Sequence, residues 1–197
     1  MGSNLGVNIG YMDIVDKITR LIGNTLNELR AYFNEVVDTY SKYDLAMKEL
    51  MEVIYDILEM LEIRKVGLVP VVRTTNTVEE PSVCIGDSGV CISVEKVSQN
   101  HVKFDIYVIN DETSDEEGRL VCEVYWFEGG KVVVDVPSGD IYGELNHVYA
   151  VLSTTNLKEL FEQLIVKYLT YLKDFVDEYN RLIKLLKVAK SITPLYS

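Results

Sequence analysis

Cys84 and Cys91 stand symmetrically about Ile85-Gly86-Asp87-Ser88-Gly89-Val90, so equal offsets from the turn would set two thiols opposite each other across a hairpin. Buried, reduced thiols are the ordinary intracellular expectation. A cross-strand disulfide belongs to an oxidising or hyperthermophilic setting. Cys122 is the third cysteine, and the spacing offers no close Cys or Cys/His pairs of the kind a zinc module uses. Hard-cation chemistry has its candidates in the acidic stretch 110–118, where Asp111, Asp115 and Glu117 could offer carboxylate oxygens. Counted from Asp111, the first, third and fifth positions are Asp, Thr and Asp, but the sixth is Glu116 where an EF-hand loop requires Gly. A solvated loop is therefore expected, with no metal and no other cofactor.

Gly86-Asp87-Ser88-Gly89 resembles the serine-nucleophile segment of trypsin-like proteases. Those enzymes place His and Asp before the serine, whereas His101 and His147 both follow Ser88. An ordinary Gly/Asp/Ser turn is the expected reading. The two histidines are unpaired in sequence, and His101 falls at an expected turn. Arg181, Lys184, Lys187 and Lys190 make a basic row beside Leu182, Ile183, Leu185 and Leu186. Such a row can lie on a membrane, but it also suits a helix C-terminus and can answer acidic groups on a neighbouring helix. A glycosidase needs two carboxylates at a set separation. With 31 acidic residues, the sequence selects no two, and it holds no glycine-rich phosphate loop, HExxH or CxxC.

A net charge of −12 over 197 residues repels nucleic-acid phosphates and anionic lipid, which argues against both as main partners. The charge is uneven. Residues 1–63 carry 5 basic and 11 acidic side chains, residues 64–154 carry 7 and 15, and residues 155–197 carry 7 and 5, or −6, −8 and +2. No run approaches the ~18 apolar residues of a membrane helix, and Met1–Gly10 has no basic region leading an apolar block. The expected setting is cytoplasmic, without membrane insertion.

The elements that must position these groups follow from periodicity. Leu26, Leu29, Phe33, Val36, Tyr40, Tyr43, Met47, Leu50, Ile54, Ile57 and Leu61 recur in steps of three and four, the seam of a coiled-coil or bundle helix. Gly23-Asn24 predicts a kink upstream. Phe161, Ile165, Tyr168, Leu172, Phe175, Tyr179, Leu182, Leu186 and Ala189 repeat the pattern, opened by a capping-box spacing at Asn156 and Glu159. Between them the period becomes two. Val102, Phe104, Ile106 and Val108 alternate with Lys103, Asp105 and Tyr107, and Gly129-Gly130 is a two-residue hairpin signal. About six strands are expected between Gly67 and Val136. Val148–Leu152 reads either as a further strand or as part of a short helix.

The expectation is thus an α+β fold: an antiparallel sheet of about six strands between two long amphipathic helices that pair antiparallel. Its parts are an N-terminal helical segment (1–63, kinked near 23–24), a β-domain (64–154) and a C-terminal helix (155–197). The antiparallel register would set Arg181 by Val37 and Asp38, Lys184 by Glu35, and Lys190 by Glu28. Large seam residues and a second apolar stripe fit a bundle of three or four helices, so a homodimer is expected. The functional expectation is a non-enzymatic, self-associating scaffold or adaptor offering its β-domain to a protein partner. The alternatives are a small-molecule-binding or hydrolytic protein with a carboxylate site at the β-domain/helix junction, or an acidic nucleic-acid mimic. The helix–β–helix order also resembles that of prefoldin-type chaperones, in order of elements only, which would imply a holdase.

Overall fold

Alternation along His101–Val108 buries Val102, Phe104, Ile106 and Val108 and leaves the intervening residues half-exposed, as a strand with one covered face requires. The computed structural model describes residues 4–60, 81–109, 118–137 and 141–192. Its elements are helices α1 (Asn4–Glu28) and α2 (Arg30–Met60), strands β1 (Ser82–Cys84), β2 (Val90–Val97), β3 (His101–Val108), β4 (Arg119–Phe127) and β5 (Val132–Asp135), then helices α3 (Tyr142–Thr154) and α4 (Leu157–Ile192). This is an α+β fold with its sheet between helices. The sheet is a meander, β1-β2-β3-β4-β5, with every neighbouring pair antiparallel. Five strands stand among the described residues where about six were expected.

The turns form where Gly, Asn and Ser allow them. Gly129 and Gly130 both take positive φ, and Phe127 N–H donates to Lys131 C=O at 2.8 Å to close the β4–β5 hairpin. Ser98 and His101 close the β2–β3 turn through Ser98 N–H to His101 C=O, 2.9 Å. Residues 142–154, readable as strand or helix, are the helix α3. Its buried Leu145, Val148 and Leu152 are spaced three and four apart, and it packs on α1.

The described contacts divide the protein into two compact units, Met1–Val37 with Glu80–Leu169, and Asp38–Glu79 with Thr170–Ser197. These cut across the expected 1–63, 64–154 and 155–197. In the first unit one sheet face meets helices. Phe104 packs edge-to-face on Phe161 of α4 at 5.3 Å, and Trp126 on Phe33 of α2 at 5.0 Å. Ile14, Ile18, Ile22 and Leu26 bury the stripe of α1. The helical interruption lies at Leu29, not at Gly23-Asn24, which lies inside α1. Leu29 N–H is shared between the carbonyls of Thr25 and Leu26, and Tyr32 N–H starts anew on Leu29 C=O. No local breaker stands at Leu29. Packing on either side sets the break: α1 lies on α3 and β5, while α2 must bring Phe33 to Trp126. Gly23 passes Val132 of β5 at ordinary contact distance.

In the second unit Ala46, Leu50 and Val53 of α2 form a buried cluster with Tyr179 and Ile183 of α4, flanked by half-buried Tyr43, Ile54, Ile57, Phe175, Leu182 and Leu186. The expected antiparallel pairing of the helices does not hold. Lys187 reaches Glu49 and Lys190 reaches Asp56, each at 2.6 Å, so partner numbers rise together and the helices run parallel. The first unit agrees within itself: Glu28 pairs with Lys158 at 3.3 Å, and Tyr32 OH donates to Glu162 at 2.7 Å. The expectation assumed that the sheet follows the far end of the first helix. Instead the sheet packs with the start of α2, and α3 leads into an α4 that starts beside Glu28. The expected meetings of Arg181 with Asp38, Lys184 with Glu35 and Lys190 with Glu28 fail for that reason. Asp38 pairs instead with Lys42, one helical turn on.

Candidate functional site

Directly opposed residues of neighbouring strands point to one face. Ser82, Ser93, Asp105, Glu123 and Asp135 oppose one another in series across all five strands. The next rows on that face hold Lys103 opposite Tyr125, and His101 opposite Phe127. The helix-distant face of the sheet therefore carries three carboxylates in a row beside an aromatic strip.

Lys103 binds the row together. Its Nζ lies 2.5 Å from Glu123 Oε1 and 3.2 Å from Asp105 Oδ1, with these side chains only 15–23% exposed. Burial works to lower the Lys103 pKa, but the hydrogen bond to Glu123 and the pairing with Asp105 outweigh it and raise it above its ordinary range. The Lys103 hydrogen bond, and next the Tyr125 hydroxyl that donates at 3.0 Å, hold Glu123 below the usual carboxylate range. Asp105 goes the other way. Burial raises it, Lys103 offsets part of that, and Glu95 and Glu123 add to the rise. Lys103 Nζ, 3.2 Å away, is poorly directed at Asp105 Oδ1, which is buried with no hydrogen-bond donor among the described residues. Two adjacent carboxyls are thus driven apart, the pattern of an acid and its conjugate partner. Here a fixed cation already occupies the space they share.

Beside them Tyr125 stacks on Phe127 at 6.4 Å, His101 lies within 5.8 Å of both rings, and Lys131 approaches the Phe127 face. His101 Nδ1 sits 2.7 Å from Ser98 Oγ and 2.9 Å from Asn100 Oδ1, so the ring is anchored at its turn.

A different surface lies in the two-helix unit. Tyr43, Met47, Leu50, Met51, Tyr55 and Tyr179 line a groove of about 570 Å3, edged by Lys48 and Glu52. Tyr43 and Tyr179 lie with ring centroids 5.7 Å apart in its lining, and both pack on the Phe175 ring at 5.6–6.1 Å. Burial raises the Tyr179 hydroxyl pKa, and its bond with Tyr43 adds to the effect. Leu45 is 67% exposed, and Leu185 and Val188 are 60% and 57% exposed.

The sequence candidates fare variously. Cys84 and Cys91 are direct partners in the β1–β2 ladder, with Cα atoms 4.0 Å apart, and they form a disulfide where reduced thiols were expected. The Ile85 N–H to Val90 C=O bond makes 84/91 the next, non-hydrogen-bonded pair, whose side chains approach closest. Cys122 is a free, buried thiol, its pKa pushed up to about 12 by burial. Ser88 Oγ donates to Ile85 C=O at 2.6 Å and accepts from Val90 N–H at 3.1 Å. His147 Nε2 touches the Ser88 carbonyl at 2.9 Å, not its hydroxyl. The turn reading of Gly86–Gly89 holds, and no serine–histidine dyad forms. Asn156 and Glu159 make the capping contact, Glu159 N–H to Asn156 Oδ1 at 3.4 Å. Asp111, Asp115 and Glu117 lie outside the described residues, among which no group of three His, Cys, Asp or Glu is placed to hold a metal. Among the same residues no helix is long and apolar enough to cross a membrane. Asp105, Glu123 and the Lys103 between them were not singled out by the sequence. Their alternation was visible, but a cross-strand register was needed to join positions 105 and 123.

No family model, curated protein or solved structure matches this sequence.

Proposed function

We propose that this protein is a non-enzymatic scaffold or adaptor that self-associates through its two-helix unit and offers the outer face of its sheet to a protein partner. The carrying observation is the apolar surface of that unit. Two parallel helices enclose one seam, while Leu45, Leu185 and Val188 stay more than half exposed and the Tyr43–Tyr179 groove is apolar. Large apolar side chains left this exposed, beside an apolar groove, support an association surface. A second copy would complete a four-helix bundle and cover both the groove and the flanking side chains.

The partner proposed for the sheet face is a basic protein segment. The exposed Asp135 carboxylate, the one negative charge left over on the Asp105–Lys103–Glu123 group and the faces of Tyr125 and Phe127 attract Lys and Arg side chains by charge and by cation–π contact. A hydrolytic site is the second reading, favoured by the opposite shifts of Asp105 and Glu123. Lys103 weakens it, because a neutralised pair lacks a free general acid. The cytoplasmic setting goes with the scaffold reading where disulfides persist in the cytoplasm, as in hyperthermophiles.

Sedimentation at micromolar concentration tests self-association. The expected mass is twice 22.4 kDa, falling to the monomer in Leu45→Glu/Leu185→Glu with unchanged helical circular dichroism. A clean 22.4 kDa monomer for the unaltered protein overturns the proposal.

A further inference from the structure

We infer that the small cavity between the Gly129-Gly130 turn and the start of α2 binds a carboxylate. Trp126 forms one wall and is wholly buried, yet its indole N–H has no hydrogen-bond partner among the described residues. That group is a donor only, and native proteins seldom leave a buried donor unmatched. The cavity holds about 130 Å3, well above the ~10–15 Å3 by which such a space admits one water molecule.

Its other walls supply the same chemistry. Arg30 and Asn34 border it from α2, and neither side chain has an ion-pair or hydrogen-bond partner among the described residues. Residues carrying an indole N–H, a guanidinium and a primary amide thus border one space, and none of these donors has a partner among the described residues. Glu128 on the rim works against a doubly charged guest such as phosphate. A guanidinium fork matches the two coplanar oxygens of a monoanionic carboxylate, and the Phe33 ring gives the acid's carbon end an apolar neighbour. The site joins residues from positions 30–34 and 126–130, which no local sequence pattern links.

The protein contains a single tryptophan, so one indole N–H cross-peak in an amide-correlation NMR spectrum of the 15N-labelled full-length protein reports on the site. Acetate, N-acetylglycylglycine and its C-terminal amide are titrated, with chloride and inorganic phosphate as controls at equal ionic strength. The expected result is a saturable downfield move of the indole proton with acetate and the free-acid peptide, and none with the amide or chloride. Tighter saturation by the peptide acid than by acetate assigns the site to the C-terminal carboxylate of a polypeptide, and equal saturation assigns it to small free acids. Arg30→Gln is expected to weaken binding at least tenfold with the remaining spectrum unchanged. If that variant fails to fold, Asn34→Ala is read in the same way and is expected to weaken binding threefold or more. An indole proton that answers no carboxylate overturns the inference, whether it rests on a water or against the Phe33 ring. So does an equal response to phosphate, or a response that the folded variant leaves unchanged.

Discussion

Glu49 accepts a hydrogen bond from Lys187 at 2.6 Å, and about two turns further along α2 and about one turn further along α4 Asp56 accepts one from Lys190 at the same distance. The order of these pairs makes α2 and α4 parallel. Antiparallel helices would match rising numbers on one with falling numbers on the other. Both pairs are well exposed, so charge contributes little stability and apolar burial at Leu50, Val53, Tyr179 and Ile183 supplies most of it. A double-mutant cycle on Glu49→Lys and Lys187→Glu should show a coupling of about 0.2–1 kcal/mol. The antiparallel register would instead couple Glu35 with Lys184, and that cycle should give none. Coupling only in the second cycle would mean that the parallel arrangement is wrong.

Lys103 should matter most where both of its carboxylates are ionised. Glu123 is held below its ordinary value of 4.5, so its contribution is full above that value and is lost as pH falls through the folded one. Asp105 is raised above 3.8, so its ionisation costs stability at neutral pH and protonation relieves the cost. Replacing Lys103 with Met leaves the two acids facing each other without a cation. The expected loss is about 1–3 kcal/mol near pH 7, below the figure for fully buried pairs because these groups keep some solvent. Denaturant melts from pH 7 to 3 should show the gap to the unaltered protein closing. A gap that stays constant down to pH 3 would assign the effect to packing alone.

Thiol counting tests the Cys84–Cys91 bridge. The native protein should react with no thiol reagent at neutral pH, because the one free thiol, Cys122, is buried and its pKa is about 12. Unfolded without reductant it should show one thiol, and after reduction three. Replacing Cys84 and Cys91 with Ser should cost about 2 kcal/mol, the loop-entropy scale for a short closed loop. Three thiols in the unreduced, unfolded protein would refute the bridge.

Gly130 and Gly86 both adopt positive φ, but they differ in surroundings. A Cβ at 130 would run into the Asn27 amide oxygen, whereas one at 86 would meet nothing. Gly130→Ala should therefore cost about 1–3 kcal/mol, and adding Asn27→Ala should return part of that loss. Gly86→Ala should cost about 1 kcal/mol, the backbone share alone. Equal losses at the two sites would remove the contact from the explanation.

Much of the local structure was legible. The period-two alternation marked β3 because a strand covered on one face sorts its side chains by parity. Cys84 and Cys91 could be matched because a tight turn sets the register of the strands beside it. Helix α3 was ambiguous because Val148–Leu152 is a short apolar run that suits either state. Its contact with α1 decided the matter. Of the candidate surfaces, only single residues could be seen in advance. Lys103, Asp105 and Glu123 become one ion network through the β3–β4 pairing, and Arg30 comes to Trp126 only once the β4–β5 turn packs on the start of α2.

The sequence by itself determined which segments are helices and strands, α3 apart, where most turns fall, and which side of each element is apolar. These follow from periodicity, from glycine's freedom at positive φ, and from capping within a few residues. Tertiary structure alone decided that α2 and α4 run parallel, that the helix breaks at Leu29, and which charges meet. A seam of three- and four-residue steps is equally apolar in either direction, so it carries no sign of orientation. Direction was set at the start of the helices, where burying Phe33 on Trp126 and Phe104 on Phe161 places the sheet beside both.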